Sequence, residues 1–448
     1  MINDDKSFKK RLARRNMYGS ISATFFFVAN LIGLLLIAAL FLHIINQSMG
    51  YVVYVNRVEP ETLSERPLED LSEEELGQLI LQNQPARIRV YIRDYLSRVS
   101  NDEFAEATVG AILRGREYPP EWGNIPLRDL EHEQQLELLY RNMNQRQMLN
   151  LVVENIVQPT AAKSWRLFES LFHSDDIKQQ AAEEFPNGDL KFHSWLNWDF
   201  LTRSVTSSAT TTGLKTALLG SFWIISITAV TALILGVGAA IYLEEYASDN
   251  WLNRAIEINI RNLAAVPSVI YGMLGLAVFA RALGEITSGA VFGVTDSNGR
   301  TVLSAALTLA ILILPILIVN AQEALRAVPS SIREGSYGMG ATRWQTVSRQ
   351  VLPAALPGIM TGVILSMSRA IGETAPLLVV GASTFIGIDP NGPFSKFTVV
   401  PIQIYEWTNL PDQTFKSVAA AAIIAMLFVL LLLNAIAIIL RNRYSRSF

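Results

Sequence analysis

Residues 323–353 read EALRAVPSSIREGSYGMGATRWQTVSRQVLP, a polar stretch punctuated by glycine and proline. Long apolar runs lie on both sides of it. A protein that crosses a membrane several times usually joins its helices by short turns, whereas this stretch is long enough to form amphipathic helices outside the bilayer. We therefore interpret it as a segment that a partner protein binds.

The apolar runs decide the class of protein. The chain has 448 residues, and half of them are apolar. Five runs contain no Asp, Glu, Lys or Arg and reach the roughly 17–25 residues that a membrane helix needs; they are residues 16–42, 216–243, 262–280, 301–322 and 417–440. A sixth run, at about 354–388, is interrupted only by Arg369 and Glu373. We predict an all-α polytopic membrane protein with six transmembrane helices, at about 16–45, 214–243, 256–283, 301–322, 354–388 and 416–440.

The charge at the two termini predicts the orientation. The first apolar run is too long for the 7–15-residue apolar region of a signal peptide, so we expect a retained helix. Basic residues flanking membrane helices stay on the cytoplasmic side. Both ends of the chain are basic, through Lys9, Lys10, Arg11, Arg14, Arg15, Arg441, Arg443 and Arg446. With an even number of spans, both termini (1–15 and 441–448) and the 323–353 loop are expected in the cytoplasm, and residues 46–212 outside it.

The segment between the first two predicted helices is an acidic insert. Residues 51–200 hold 26 acidic and 15 basic side chains, a net charge of −11, whereas the remainder of the chain is basic. The insert is long enough for one small core. We predict a mostly helical soluble domain with some strand, followed by a polar linker up to residue 212.

Hydrophobic spacing gives the insert's expected elements. Apolar residues recur at helical spacing over 68–81, 85–96 and 130–157. Ser72 and Glu75 resemble a capping box, with Ser72 as the N-cap. Residues 51–55 can form a strand. The expected core includes Leu79, Ile80, Ile88, Val90, Ile92 and Leu96.

The sequence lacks the residues that several classes of function require. The chain has no cysteine, and its four histidines are scattered without metal-ligand spacing. No spacing in the insert selects a catalytic pair, so a docking or spacer domain is favoured over an enzyme. No Gly-x-x-x-x-Gly-Lys-Ser/Thr phosphate loop occurs. If ATP drives transport, the nucleotide and its magnesium must bind another chain, and no cofactor is expected here.

The loop itself predicts two short helices around a glycine turn. Pro329 is a helix-start signal, and Ser330 or Ser331 can cap a helix that begins near Ile332. A turn and a second helix are expected from Gly338, Gly340, Thr342, Trp344, Val347 and Val351, the last three on one face. Small residues at such a turn let a partner approach the backbone closely.

The loop resembles the cytoplasmic signature of ABC importer permeases, which reads Glu-Ala-Ala-x-x-x-Gly, nine residues, then Ile-x-Leu-Pro. Four residues match in register: Glu334, Gly340, Leu352 and Pro353. Gly335 and Ser336 replace the two alanines by other small residues, whereas Gln350 replaces the isoleucine. The resemblance implies that this loop, with Ala341 and Arg343 at its second helix, docks into a groove of a separate ATPase.

A second candidate site lies inside the fifth predicted span. Arg369 and Glu373 are four residues apart and so share one helix face, with Thr374 next to them. Ionisable groups inside a membrane usually line a transport pathway or form an ion pair. A guanidinium fork suits a tetrahedral oxyanion, and a neighbouring carboxylate can hold the arginine or favour a protonated anion. The alternative is a structural ion pair that only neutralises itself.

The surrounding sequence RAIGETAPLL, residues 369–378, closely resembles phosphate-specific ABC transporter permeases of the PstA type. The resemblance covers roughly 15–45 and 195–445, and the insert at about 50–195 is a departure from it. It implies a phosphate importer permease in a bacterial inner membrane. Its implied partners are a sister permease, an ATP-binding cassette ATPase dimer, an extracytoplasmic phosphate-binding protein and the lipid bilayer, but no nucleic acid.

Two other functions stay open at this point. The first is a permease of the same superfamily for another oxyanion, such as sulfate, molybdate or phosphonate. The second is a membrane sensor whose insert detects a ligand, although such a sensor would need a cytoplasmic output module and no such segment is recognisable. For the insert we expect contact with the binding protein or with the sister permease.

Overall fold

The computed structural model describes residues 2–97, 104–293, 299–382 and 389–444. Met1, residues 383–388 of the fifth predicted span and residues 445–448 of the predicted C-terminus lie outside the described residues. The side chains of Lys9, Lys10, Arg11 and Arg14 do as well.

The described chain is mostly helical, with one small sheet. Its α-helices are, in order, α1 (Ile2–Ser48), α2 (Pro60–Leu63), α3 (Glu73–Asn83), α4 (Ile88–Tyr91), α5 (Val109–Ile112), α6 (His132–Asn142), α7 (Gln145–Val152), α8 (Leu167–Phe172), α9 (Ser174–Glu184), α10 (Trp198–Thr202), α11 (Lys215–Ile241), α12 (Trp251–Leu263), α13 (Ser268–Gly275), α14 (Gly284–Thr287), α15 (Val302–Arg326), α16 (Ser330–Gly338), α17 (Arg343–Thr346), α18 (Leu352–Gly372), α19 (Ala375–Val380), α20 (Val400–Asn409) and α21 (Gln413–Tyr444). The strands are β1 (Met49–Val55), β2 (Thr160–Ser164) and β3 (Asp189–Ser194).

Among the described residues, five helices are long and apolar enough to cross a membrane, and a bent pair brings the number to six. The five run over Arg15–Ser48, Lys215–Tyr246, Val302–Arg326, Arg343–Gly372 and Gln413–Arg443. The predicted all-α polytopic fold is therefore confirmed. The most buried of them is α15, which packs against both α11 and α18.

The third predicted span, 256–283, is not one straight helix. It is formed by α12 and by α13 with its π-helical continuation to Ala282, and the two meet at an angle of 106°. Pro267 explains the break, because proline disfavours helical backbone at the preceding residue and lacks an N–H donor. Pro267 itself is extended, with φ −56° and ψ 136°.

The fifth predicted span, 354–388, differs from the helix that the described residues form. One continuous helix begins at Arg343 and ends at Gly372, so Leu352 and Pro353 lie inside it. The π-helical turn Val347–Val351 precedes Pro353, and such turns accommodate an interrupted hydrogen-bond ladder. After Gly372 the backbone is extended at Glu373, and α19 follows with Pro376 in its first turn.

Contacts at the two tips of α11 define two opposite ends of the bundle. At the first, which we call the insert end, Lys215 Nζ lies 2.6 Å from Asp389 Oδ2, and the Thr216 hydroxyl donates to Asp389 Oδ1 at 2.7 Å. At the second, the loop end, Glu245 contacts Arg333. A helix rises 1.5 Å per residue, so these two ends are about 45 Å apart.

The bent pair connects the same two ends. Glu257 of α12 lies 3.2 Å from Arg326, at the loop end. At the far side of α13, Gly299 packs so closely on the Ala280 carbonyl that a Cβ would approach its oxygen to 2.2 Å. Residue 299 directly precedes α15, whose other tip is Arg326. The pair therefore crosses the bundle as a bent span.

The insert has a sheet and a helical lobe. The sheet has the order β2-β1-β3 with both pairs antiparallel, and its central strand follows α1 directly. Val52, Trp195 and Phe200 pack in one cluster with Trp407 and Phe415, so this part of the insert rests on the bundle. Residues 57–157 form the lobe, which has its own core.

The insert agrees with most of its sequence predictions. Ser72 and Glu75 form the predicted capping box, and β1 contains the predicted strand. All predicted core residues are buried except Val90, which is half-buried because its helix turns that face outward. The third predicted helical segment is split between α6 and α7, since Asn144 caps a new helix through a reciprocal pair with Gln147.

Candidate coupling surface and membrane-embedded ion pair

Helix α16 lies at the loop end and directly follows α15. It begins at Ser330, and Pro329 occupies the cap position without a side-chain hydrogen bond. The predicted serine cap is therefore wrong. A capping serine needs extended backbone, whereas Ser330 and Ser331 are already helical.

The predicted glycine turn and the second helix are present. Gly340 adopts φ +83°, a left-handed conformation that favours glycine. Thr342 caps α17: its hydroxyl accepts from the Gln345 amide at 3.3 Å, and its own amide donates to Gln345 Oε1 at 2.9 Å. The hydroxyls of Ser336 and Thr346 lie 2.9 Å apart and join α16 to α17.

The outer side of this turn is open. We call Glu334, Gly335, Gly338, Met339 and Gly340 the coupling surface; all five are exposed, and Met339 is 89% exposed. Apart from the adjacent residues and the backbone of the same helix, no atom of the described residues lies within 4 Å of where a Cβ would be at any of the three glycines. The Glu334 side chain has no hydrogen bond or ion pair with any residue that the structure describes. A shallow cavity of about 600 Å³ adjoins the surface.

The other residues predicted for coupling lie around this surface. Ala341 is half-buried, and the Arg343 guanidinium lies 5.9 Å from the Tyr246 ring centre. Leu352 packs into the bundle, whereas Pro353 is exposed. Of the three residues predicted on one face of the second helix, Val347 and Val351 are fully buried but Trp344 is 63% exposed.

A partly buried ion pair under the coupling surface was missed by sequence reasoning. Arg333 Nη2 and Nε lie 2.6 and 3.1 Å from Glu245 Oε1. The same guanidinium donates to the carbonyls of Leu325 and Val328, at 2.9 and 2.8 Å. The side chains are 20% and 6% exposed. Arg333 thus connects α16 to the C-terminal ends of α11 and α15. One sequence signal could have pointed to this pair, because Glu244 and Glu245 end the charge-free run 216–243.

Arg369 and Glu373 are brought together, although not on one helix face. Arg369 lies in the last turn of α18, whereas Glu373 caps that helix with φ −79° and ψ 114°. Arg369 Nε donates to Glu373 Oε1 at 3.3 Å. Thr374 is half-buried, and its carbonyl accepts from the Leu378 amide at 3.1 Å.

The pair lies near the middle of the bundle. Its neighbour Ala370 is buried against Ala310, Ile313 and Leu317, which occupy the central turns of α15. The Arg369 side chain is 44% exposed and that of Glu373 is 20% exposed. Within the described ranges, Nη1 and Nη2 of Arg369 donate no hydrogen bond. A guanidinium with two open nitrogens can bind an anion.

Close backbone packing positions this site. A Cβ on Gly272 of α13 would lie 2.7 Å from the Cα of Pro376, so α13 and α19 approach as only glycine permits. Glu373 and Thr374 therefore lie in a short connection between α18 and a helix packed tightly on α13. The connection has little freedom to move alone.

Comparison with known proteins identifies the membrane part of the chain. Residues 210–447 match the family described as binding-protein-dependent transport system inner membrane component. The chain is 32% identical over 252 residues to the probable ABC transporter permease protein YqgH of Bacillus subtilis, covering 56% of this chain and 76% of that protein. It is 33% identical over 246 residues to the phosphate transport system permease protein PstA 1 of Mycobacterium tuberculosis, covering 54% and 75%. The helical lobe and the sheet lie outside the matched residues 210–447. The chain belongs to the family of binding-protein-dependent transport system inner membrane components, as a PstA-like ABC transporter permease.

Proposed function

We propose that this chain is one of two permease subunits of an ATP-driven importer of inorganic phosphate that depends on a binding protein. The observation that carries the cargo assignment is the Arg369 guanidinium, held near mid-depth by one carboxylate with two nitrogens open. Charge-assisted hydrogen bonds from such a fork suit a phosphate oxyanion. The named phosphate permeases among the relatives point to the same cargo.

Glu373 favours phosphate over a fully deprotonated oxyanion such as sulfate. Hydrogen phosphate carries an O–H that can donate to a carboxylate, whereas sulfate at neutral pH has only acceptors and is repelled by it. Arg369 and Glu373 side by side therefore offer one donor group and one acceptor group. Permeases for sulfate, molybdate or phosphonate are the alternative outcomes of an uptake measurement.

We place the loop end in the cytoplasm and the insert end outside. The loop end carries Arg326, Arg333, Arg343, Arg349, Arg441 and Arg443, which agrees with the cytoplasmic preference of basic residues. ATP is available on that side. The insert would then face the side from which a binding protein delivers phosphate.

The proposed partner at the coupling surface is an ATPase subunit. When two ATPases close on ATP, they would push α16, and the Arg333–Glu245 pair would pass this movement to α11. The continuous helix Arg343–Gly372 carries both the coupling end and Arg369. Arg343 and Arg369 are 26 positions apart, about 39 Å along this helix. A tilt of this helix would therefore change the access to Arg369.

Replacing Glu334 by arginine should prevent the ATPase from co-purifying with this chain. Glu334 is exposed and unpaired among the described residues, so the folded protein loses no contact. Glu121→Arg is the matched control, because it makes the same charge change on an exposed residue of the lobe, far from the loop end. Normal co-purification of Glu334→Arg, at the level of Glu121→Arg, would contradict the docking role.

A further inference from the structure

The short helix α8 in the insert exposes an unusual amount of apolar surface. Phe168, Leu171 and Phe172 are 43%, 61% and 78% exposed. They are spaced i, i+3 and i+4 and so form one face. Ser170, on the opposite side, is buried. We call these three residues the α8 face.

The described part of the lobe shows no comparable patch. In residues 57–97 and 104–157, Tyr95 is the only exposed large apolar residue. Near the sheet, Phe192 of β3 and Trp198 of α10 are also exposed, at 50% and 74%, but they lie on different elements. A water-facing domain normally exposes large apolar residues singly, so the three neighbouring residues of the α8 face differ from the polar, acidic lobe.

The position of α8 is fixed relative to the first membrane helix. The Phe168 amide donates to Asn46 Oδ1 at 2.7 Å, so α8 starts level with the last turn of α1. The Tyr51 amide donates to Ser170 Oγ at 2.9 Å. Since β1 continues α1 without a linker, α8 cannot change its height independently of the membrane helix.

That height coincides with the edge of a bilayer. Asn46 lies 31 residues beyond Arg15, the first residue of the candidate span. This corresponds to about 46 Å of helix, close to the roughly 40–45 Å of a bilayer with its headgroups. The exposed apolar surface of α1 itself continues to Ile45. The α8 face thus starts beside the end of the exposed apolar surface of α1.

We propose that the α8 face inserts into the interfacial region of the bilayer and fixes the insert on the membrane surface. Its occupant is lipid, not another protein. Amphipathic helices that lie in the membrane plane bury such an apolar face at the boundary between headgroups and acyl chains. The sheet would then be held by two membrane contacts, α1 and α8. This inference does not depend on the transported anion.

The absence of cysteine in this chain makes a direct test possible. Full-length Phe172→Cys is labelled with an environment-sensitive fluorophore in nanodiscs that hold this chain without partners. Emission is compared with and without lipid that carries a nitroxide near its headgroup. We expect blue-shifted emission and severalfold stronger quenching than for the control Glu121→Cys, at an exposed site of the lobe. Adding Phe168→Glu and Leu171→Glu should remove the quenching.

Three results would overturn the proposal. The first is water-like, unquenched emission from position 172. The second is a probe that becomes shielded only when a sister permease or a binding protein is added, because the α8 face would then be a protein interface. Quenching that survives both glutamate substitutions would show that the fluorophore, and not the helix face, seeks the lipid, which also counts against it.

Discussion

Arg369→Ala is expected to reduce phosphate uptake by about one to two orders of magnitude while the protein still inserts and assembles. Charge-assisted hydrogen bonds contribute about 1.5–3 kcal/mol, and the substitution removes all of them from the anion. Arg369→Lys keeps the charge but loses the planar fork, so its uptake should be intermediate. Arg254→Ala is the matched control, because Arg254 is an exposed arginine whose carboxylate partner, Asp249, lies outside the pathway.

A double substitution separates the pathway role from a structural ion pair. If Arg369 and Glu373 only neutralise each other, removing Arg369 leaves an unpaired carboxylate, and Arg369→Ala with Glu373→Gln should restore uptake. If Arg369 binds the anion, the double variant stays as inactive as Arg369→Ala. The interaction energy from this cycle decides between the two. Restored uptake would remove Arg369 from the proposed pathway.

Arg333→Ala is expected to have the largest effect on stability. Breaking a fully buried ion pair by removing one partner costs about 3–5 kcal/mol, since the other charge is left uncompensated, and this range is the upper bound for the partly buried Arg333–Glu245 pair. Glu245 is 6% exposed, and two backbone carbonyls would also lose their donor. We expect a clear fall in the thermal unfolding midpoint of the purified protein and poor coupling of ATP hydrolysis to uptake.

Arg326→Ala is the control for this prediction. Arg326 also pairs with carboxylates at the loop end, Glu244 at 2.8 Å and Glu257 at 3.2 Å, but it is 39% exposed. Exposed ion pairs contribute about 0–1 kcal/mol. If Arg326→Ala destabilises the protein as much as Arg333→Ala, the Arg333–Glu245 pair has no special role in holding α16.

The sequence predicts the membrane fold well because its signals are local. Long charge-free runs, the Ser72–Glu75 capping box and the glycine turn at Gly340 each depend on neighbouring residues. Two predicted spans are interrupted by backbone chemistry within an apolar run. Pro267 bends the third span, and the chain leaves the helix at Glu373 before Pro376. The hydropathy of these two runs does not predict the bend at Pro267 or the end of the helix at Glu373.

The candidate site is only partly predictable for a different reason. The Arg369–Glu373 pair and the coupling surface are each contained in a short stretch. The Arg333–Glu245 contact joins residues 88 positions apart, and no local pattern connects them. The role proposed for the α8 face cannot be predicted from local sequence either, because its position beside α1 depends on the contact of Phe168 with Asn46, which is distant in sequence.

The most direct test of the proposed function is anion uptake by the complex that co-purifies with this chain. The complex is reconstituted into liposomes with its binding protein, and uptake of radiolabelled phosphate is measured with and without ATP. We predict uptake that requires both ATP and the binding protein, that excess phosphate suppresses and that excess sulfate leaves unchanged. Uptake without ATP, or uptake that sulfate or molybdate suppresses as well as phosphate does, would contradict it.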